Sequence, residues 1–417
     1  GKRWQFAGFT REIGAPSDLT FRMLNAEGNA IASADDNGTS EGVLDVTFPA
    51  DGRYTLELVD LNKRGGPQYS YRVIPTEYRP GFTLTASTDA LNVPLNGTTS
   101  MTITAARRDY NGPIEVTIAG LPDGVATGPV YVGAGINSVT TTVTGPKAAP
   151  AAPSLSEIIV TGRATIQDVP FEAKASLVDT LRARWSGVTQ VSPRFANPIA
   201  LAIAPAQGIS LRLEPAEVVF GKNLKATVKV IAERSAGFDQ PIKLVTSPEK
   251  DGVPANVAVE LKPIEKDKNE VVLTLSANEK AATGPFSIAL AGVHEKDKVT
   301  TTAVAPNLTL KLQEAFQLAA TPQSSPMLAR GSQLKFKVNV TRNPAYAGEV
   351  KLVCEKLPAG VLAPEALLKT DQNEVELVLS ATAEAAVTNA TDVVLRASSP
   401  AEAKISSTIP LPAFSVQ

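Results

Sequence analysis

The chain has 417 residues, room for two to four domains at roughly 150 residues each, and 40 Lys and Arg against 42 Asp and Glu leave a formal net charge of −2. That balance excludes the basic surplus that nucleic acid or an anionic membrane surface demands. Twenty-nine glycines and 31 prolines beside 43% hydrophobic and 5% aromatic residues describe a punctuated, core-forming chain rather than a disordered one. The single cysteine, Cys354, excludes an intrachain disulfide, and the single histidine, His294, excludes any centre built on two imidazoles. Scarce cysteine leaves the compartment open, because exported domains of this size need no bridges. No apolar run approaches the ~20 residues that span a bilayer, and the opening Gly1, in place of Met, reads as an internal cut.

Residues 1–79 alternate strand-like runs with acidic and glycine turns at Gly28-Asn29, Asp35-Asp36-Asn37-Gly38 and Asp51-Gly52. The runs Gly1-Lys2-Arg3-Trp4-Gln5-Phe6, Asp18-Leu19-Thr20-Phe21, Phe48-Pro49-Ala50-Asp51-Gly52-Arg53-Tyr54-Thr55-Leu56 and Tyr69-Ser70-Tyr71-Arg72-Val73 make this segment resemble the bacterial pre-peptidase C-terminal domain. The resemblance implies a small jelly-roll-like β-sandwich of exported proteins, here without the family's first strands. It also implies calcium as a ligand, with Asp35, Asp36 and Asp45 as the matching oxygen donors, although Asp-Asn-Gly is equally ordinary turn chemistry.

The rest of the chain repeats three times. Each copy opens on an apolar strand, Phe82-Thr83-Leu84, Ile209-Ser210-Leu211 or Phe316-Gln317-Leu318, followed by a turn glycine at Gly97, Gly221 or Gly331. An alternating strand comes next, ending near Arg107, Arg234 or Arg342, and then Ile114-Glu115-Val116, Ile242-Lys243-Leu244 or Val350-Lys351-Leu352. Further runs begin at Asn137, Asn269 and Asn373, and at Ile158, Phe286 and Asp392. The copies close with Ile199-Ala200-Leu201-Ala202-Ile203, Leu308-Thr309-Leu310-Lys311-Leu312 and Ile409-Pro410-Leu411, while Phe414-Ser415-Val416 resembles the start of a fourth, the alternative being that it simply ends the last sandwich. Short strands with turn signals every ~8 to 12 residues are the pattern of an immunoglobulin-like sandwich. The best helix-favouring stretches, Ala363 to Leu368 and Ala381 to Ala386, allow at most single turns.

The fold class expected is therefore all-β, a string of antiparallel β-sandwiches: a partial jelly-roll-like domain at 1–79, then immunoglobulin-like domains at 80–205, 206–313 and 314–417. The first of these carries an insertion near 181–197. Few residues point to chemistry. His294, within Val293-His294-Glu295-Lys296-Asp297-Lys298, reads as a surface-loop histidine, and no Gly-x-Ser-x-Gly elbow accompanies it. Cys354 shares a strand face with Val350 and Leu352 and reads as a packed thiol. Gly133-Ala134-Gly135 reads as a hairpin turn, and the three repeated arginines read as structural partners of carboxylates or carbonyls. Trp185 and Arg184, in the insertion, are the residue types that anchor interfaces, and Trp185 reads equally as a plug over a junction between domains.

These features lead to a non-enzymatic, exported protein of the bacterial surface, envelope or periplasm, serving as a structural or adhesion module. The alternative is an accessory region of a secreted protease or glycosidase. No cofactor is expected other than calcium. The partners expected are proteins or cell-surface polymers, without nucleic acid or membrane insertion, and the sheet edges offer a route to homo-oligomers.

Overall fold

The computed structural model describes residues 2–10, 15, 17–35, 42–149, 155–185, 187, 191–248 and 252–417. It is almost entirely strand, and it divides into two compact units: Gly1–Phe82 with Arg108–Tyr110 and Leu181–Ala196, and the remainder of the chain.

The first unit packs two three-stranded antiparallel sheets. Arg3–Phe9 lies between Val43–Thr47 and Arg72–Glu77, and Leu19–Leu24 lies between Ala30–Ala34 and Thr55–Asp60. Alternate residues point between the sheets, so Leu19, Phe21, Met23, Leu44 and Val46 form the core. Glycine is required at position 8, where a Cβ would stand 2.3 Å from the Phe21 ring. At the end of Thr55–Asp60, the buried Asp60 carboxylate accepts from the backbone N–H groups of Asp18, Asn62 and Arg64, each at 3.0 Å, and from the Arg64 guanidinium.

The second unit holds the three copies, and each is a sandwich with the same plan. In the third copy, Phe316–Pro322, Gln333–Arg342, Glu374–Ala381 and Val361–Leu362 form one sheet. Ala366–Leu368, Val350–Glu355, Val394–Ser398 and Ser406–Pro410 form another, and Met327–Leu328, Phe414–Val416 and Thr388–Ala390 seal the side. The second copy repeats these layers with Ile209–Glu214, Lys225–Arg234, Glu270–Ala277 and Val257–Glu260, then Ile242–Thr246, Leu290–Lys296 and Val299–Val304, then Glu217–Gly221, Leu308–Gln313 and Gly284–Ile288. In the first copy a single long strand, Leu155–Ile166, pairs with Ile199–Ala204 through its first half and with Ile114–Ala119 and Val169–Ser176 through its second, so the sheets run together.

Several sequence expectations change here. The closing strand of every copy pairs in parallel with the short strand after the opening one: Ile199–Ala204 with Ala90–Pro94, Leu308–Gln313 with Glu217–Gly221, and Phe414–Val416 with Met327–Leu328. Phe414–Val416 thus ends the third sandwich instead of opening a fourth, with Phe414 and Val416 buried in its core, and Ile409 belongs to an edge hairpin. Opening and closing strands share the same apolar alternation, which is why sequence confuses them. The three turn glycines are not equivalent either. The matching turns are closed by Gly97 to Pro94, Leu224 to Gly221 and Ser332 to Ala329 hydrogen bonds, and their left-handed residues are Asn96, Asn223 and Gly331.

The one α-helix among the described residues is Val178–Arg184. Its signals were present: the Ser176 hydroxyl accepts from the Val178 N–H, Asp179 sits in the first turn, and Arg182 and Arg184 in the last.

Consecutive sandwiches of the second unit are docked. Ser138–Thr144 is an edge strand of the first copy, and the Asn307 side chain covers it: Oδ1 accepts from the Thr142 N–H at 2.8 Å, and Nδ2 donates to the Thr140 carbonyl at 2.7 Å. The carboxamide thereby occupies the place that a neighbouring strand's peptide would take. The Thr142 hydroxyl donates to Oδ1 and accepts from the Asn307 N–H, both at 2.8 Å. At the opposite edge, Val130–Val132, the Tyr131 N–H donates to the Ser287 hydroxyl at 3.0 Å, and Thr309 donates to the Pro129 carbonyl at 3.0 Å. Gly133-Ala134-Gly135 links the two end strands Val130–Val132 and Ser138–Thr144, which do not pair with each other, so it is not a hairpin turn, and a Cβ at Gly133 would stand 2.0 Å from the Phe286 ring. Between the second and third copies, Leu224 enters the third core, Lys222 pairs with Glu314 at 2.6 Å, and Asn223 donates to the Lys404 carbonyl at 2.7 Å.

Removing a buried side chain that satisfies two backbone groups costs about 2–4 kcal/mol. Asn307→Ala is expected to separate a shared calorimetric unfolding transition of the first two sandwiches into two.

Candidate functional site

The repeated arginines form the most regular polar constellation in the chain, and they bind carbonyls. Arg107 donates from Nε to Ile136 at 2.8 Å and from its terminal nitrogens to Gly112 at 2.6 Å and Gly133 at 2.7 Å. Arg342 donates from Nε to Gly348 at 3.0 Å, and onward to Gln372 at 2.7 Å and Lys369 at 2.6 Å. Arg234 reaches Gln240 at 2.6 Å and Lys268 at 3.1 Å. In each copy the guanidinium ties the loop after its own strand to the turn before the next Asn-initiated strand. The residue two before the arginine donates its backbone N–H to that asparagine's carbonyl: Ala105 to Asn137, Ala232 to Asn269, Val340 to Asn373. Irregular loops expose carbonyls that no ladder satisfies, and a planar five-donor group gathers several at once.

The middle clamp differs from the others. Its Nε is buried without a partner among the described residues, and burial holds the Arg234 guanidinium below its usual range.

His294 is a correction to the sequence reading. It is a buried strand residue, 2% exposed, on Leu290–Lys296, and only Asp297 and Lys298 form the turn that follows. Its Nε2 accepts from the Gln240 N–H at 3.3 Å, and its ring lies 5.2 Å from that of Phe238. The imidazole therefore supports the same loop that Arg234 clamps. Cys354 packs partly against the third core, where burial pushes its thiol up to about 11.

Of the acidic residues implied by the resemblance, Asp36 lies outside the described residues. Asp45 faces Arg3, which donates to its two carboxylate oxygens at 2.7 and 2.9 Å, and Gln5 adds a bond at 3.1 Å. The Arg3 guanidinium holds that carboxyl below the usual range. Asp35 sits one residue beyond Ala30–Ala34. Among the described residues no group of three or more His, Cys, Asp or Glu side chains could hold a metal ion. Trp185 follows the helix, half exposed at 51%, with the Arg184 guanidinium 5.8 Å from its ring centre.

Two surface clefts accompany these features. One of about 540 Å³ opens in the first unit between Trp4, Phe6, Met23, Phe48, Tyr54 and Leu56. Another of about 300 Å³ lies in the second unit beside Tyr131, Phe171 and the Arg163–Glu172 ion pair.

No protein-family model matches the chain, and no curated protein does. Among solved structures, it is similar to the D0–D1 domains of intimin, with 12% identity over 55% of this chain and 97% of that one, at a TM-score of 0.19. It is similar to a Porphyromonas gingivalis W83 protein of unknown function, with 9% identity over 55% of this chain and 99% of that one, at 0.18. The eight N-terminal Ig domains of Down syndrome cell adhesion molecule isoform 1.30.30 share 12% identity over 99% of this chain and 55% of that one, at 0.21. Likenesses this low carry no functional argument. The class of protein follows from the sheets themselves: all-β, with tandem immunoglobulin-like sandwiches. No helix among the described residues is long and apolar enough to cross a membrane.

Hydrogen bonds to a charged donor each contribute about 1.5–3 kcal/mol. Arg107→Met and Arg342→Met are expected to lower urea-unfolding stability by at least that much, and Arg234→Met by less, because one donor there is already unpartnered. In the first unit, the Arg64 side chain, with the backbone N–H groups of Arg64 and Asp18, holds the Asp60 carboxyl well below the usual carboxylate range. A depressed folded-state pKa contributes stability that is present above about pH 4, the unfolded value, and is lost as pH falls through the folded one. Thermal melting of the first unit is expected to weaken below about pH 4, and Asp60→Asn to flatten that dependence.

Proposed function

We propose that the chain is a non-enzymatic structural or adhesion module of an exported bacterial protein. The observation that carries this reading is the junction between the first two sandwiches, where Asn307 of the second satisfies buried backbone groups of the first, and Ser287 and Thr309 bind part-buried ones. Sandwiches joined in this way hold their outer loops and edges at fixed separations, which suits display of contact surfaces to a large partner. The titratable side chains support the same reading through their occupations: the three arginines bind loop carbonyls, and His294 accepts from the backbone. Trp185, with Arg184 beside it, is the side chain we assign as a partner anchor.

The test is co-sedimentation of the purified chain with isolated bacterial envelopes, run in parallel with hydrolysis assays on casein and on p-nitrophenyl glycosides. The expected result is saturable retention that Trp185→Ala weakens by at least tenfold, with no turnover above buffer. Turnover of either substrate class by the chain, or no retention on any envelope, would overturn the reading.

A further inference from the structure

The three copies treat one sheet edge differently. In the first sandwich the strand Val169–Ser176 carries Pro170, Glu172 and Lys174, and Ala175 and Ser176 pair onward in parallel with Leu84 and Thr85. In the third, the equivalent strand Ser406–Pro410 has five residues and ends on proline. Charge, proline and onward pairing are the devices by which sheet edges are kept from joining other strands. The second sandwich uses none of them. Its edge strand Val299–Val304 reads Val-Thr-Thr-Thr-Ala-Val, with five β-branched residues in six and no charge or proline.

This strand pairs on one side only, with Leu290–Lys296. The hairpin turns through Asp297 and Lys298, both with positive φ, which is the two-residue turn that makes the flanking Lys296 and Val299 a hydrogen-bonded pair. Bonding then alternates along the ladder. Val299, Thr301 and Ala303 bond inward, and the N–H and C=O groups of Thr300, Thr302 and Val304 face outward. Strand Ile209–Glu214 of the facing sheet comes near without forming a ladder, and among the described residues nothing pairs with this edge. The side chains agree with an open edge: Val299 is 65% exposed, Thr300 and Thr302 are exposed, and Ala303 points into the core.

We propose that Val299–Val304 is a dimerisation edge that pairs antiparallel with the same strand of a second copy of this chain. A second copy is the occupant the sequence favours, because an uncharged strand meets itself without facing like charges. Outward-bonding residues must face outward-bonding residues, and all three find such a partner within the strand only when the two-fold axis passes beside Thr302. Thr302 then faces Thr302, Thr300 faces Val304, and Thr301 faces Ala303. Threonine and β-branched cross-strand pairs are stabilising, and the contact is the same patch on both protomers, as a closed two-fold dimer requires.

The test is sedimentation velocity of the whole chain over a hundredfold concentration range, with Thr302→Lys and Thr302→Pro as variants. Both substitutions suit the folded monomer: the Thr302 side chain is exposed, and its N–H faces outward, where proline costs no ladder bond. The expected result is wild-type protein moving from one chain to two, with both variants remaining at one chain and keeping the wild-type circular dichroism and melting temperature. Wild-type protein that stays at one chain throughout would overturn the proposal, as would variants that dimerise as the wild type does.

Discussion

A β-sheet ends in strands whose outer N–H and C=O groups have no ladder partner, and a chain built almost wholly of short sheets has many such edges. Burying them unpaired is costly, and leaving them open invites other strands. Much of this structure follows from how each edge is handled. Asn307 covers one, with its carboxamide in the position of a neighbouring peptide group, while Ser287 and Thr309 cover another. Because these side chains belong to the second sandwich and the edges to the first, sealing the edges is the same event as docking the domains.

The loops pose the same problem away from the ladders, and the arginines answer it. One guanidinium per copy collects carbonyls from two loops that would otherwise depend on water, and the repetition at Arg107, Arg234 and Arg342 shows a solution tied to the fold rather than to a ligand. His294 serves the same end beside Arg234.

The strands were legible because alternation is local. Leu334-Lys335-Phe336-Lys337-Val338 places Leu334, Phe336 and Val338 in the core as period two requires. The arginines were legible as a repeat, and their structural role followed from their position at strand ends. Alternation also held a signal for His294, which shares its inward face with Leu290 and Gly292, but the charges of Glu295, Lys296, Asp297 and Lys298 drew attention to the turn instead. Thr140, Thr141 and Thr142 defeat alternation altogether, since all three are buried. One face lies against their own sandwich, and the outer edge lies under Asn307. Nothing in an isolated asparagine announces that role, which depends on a surface 165 residues away in sequence.

The central claim is that the junction of the first two sandwiches is held by hydrogen bonds between them, and amide hydrogen exchange at Thr142 and Asn307 tests it most directly. Each N–H donates across the junction, to the Asn307 carboxamide and the Thr142 hydroxyl respectively. The account predicts that both exchange as slowly as the core strands of the two sandwiches, through their shared unfolding. Rapid exchange at these two amides while the cores stay protected would contradict it.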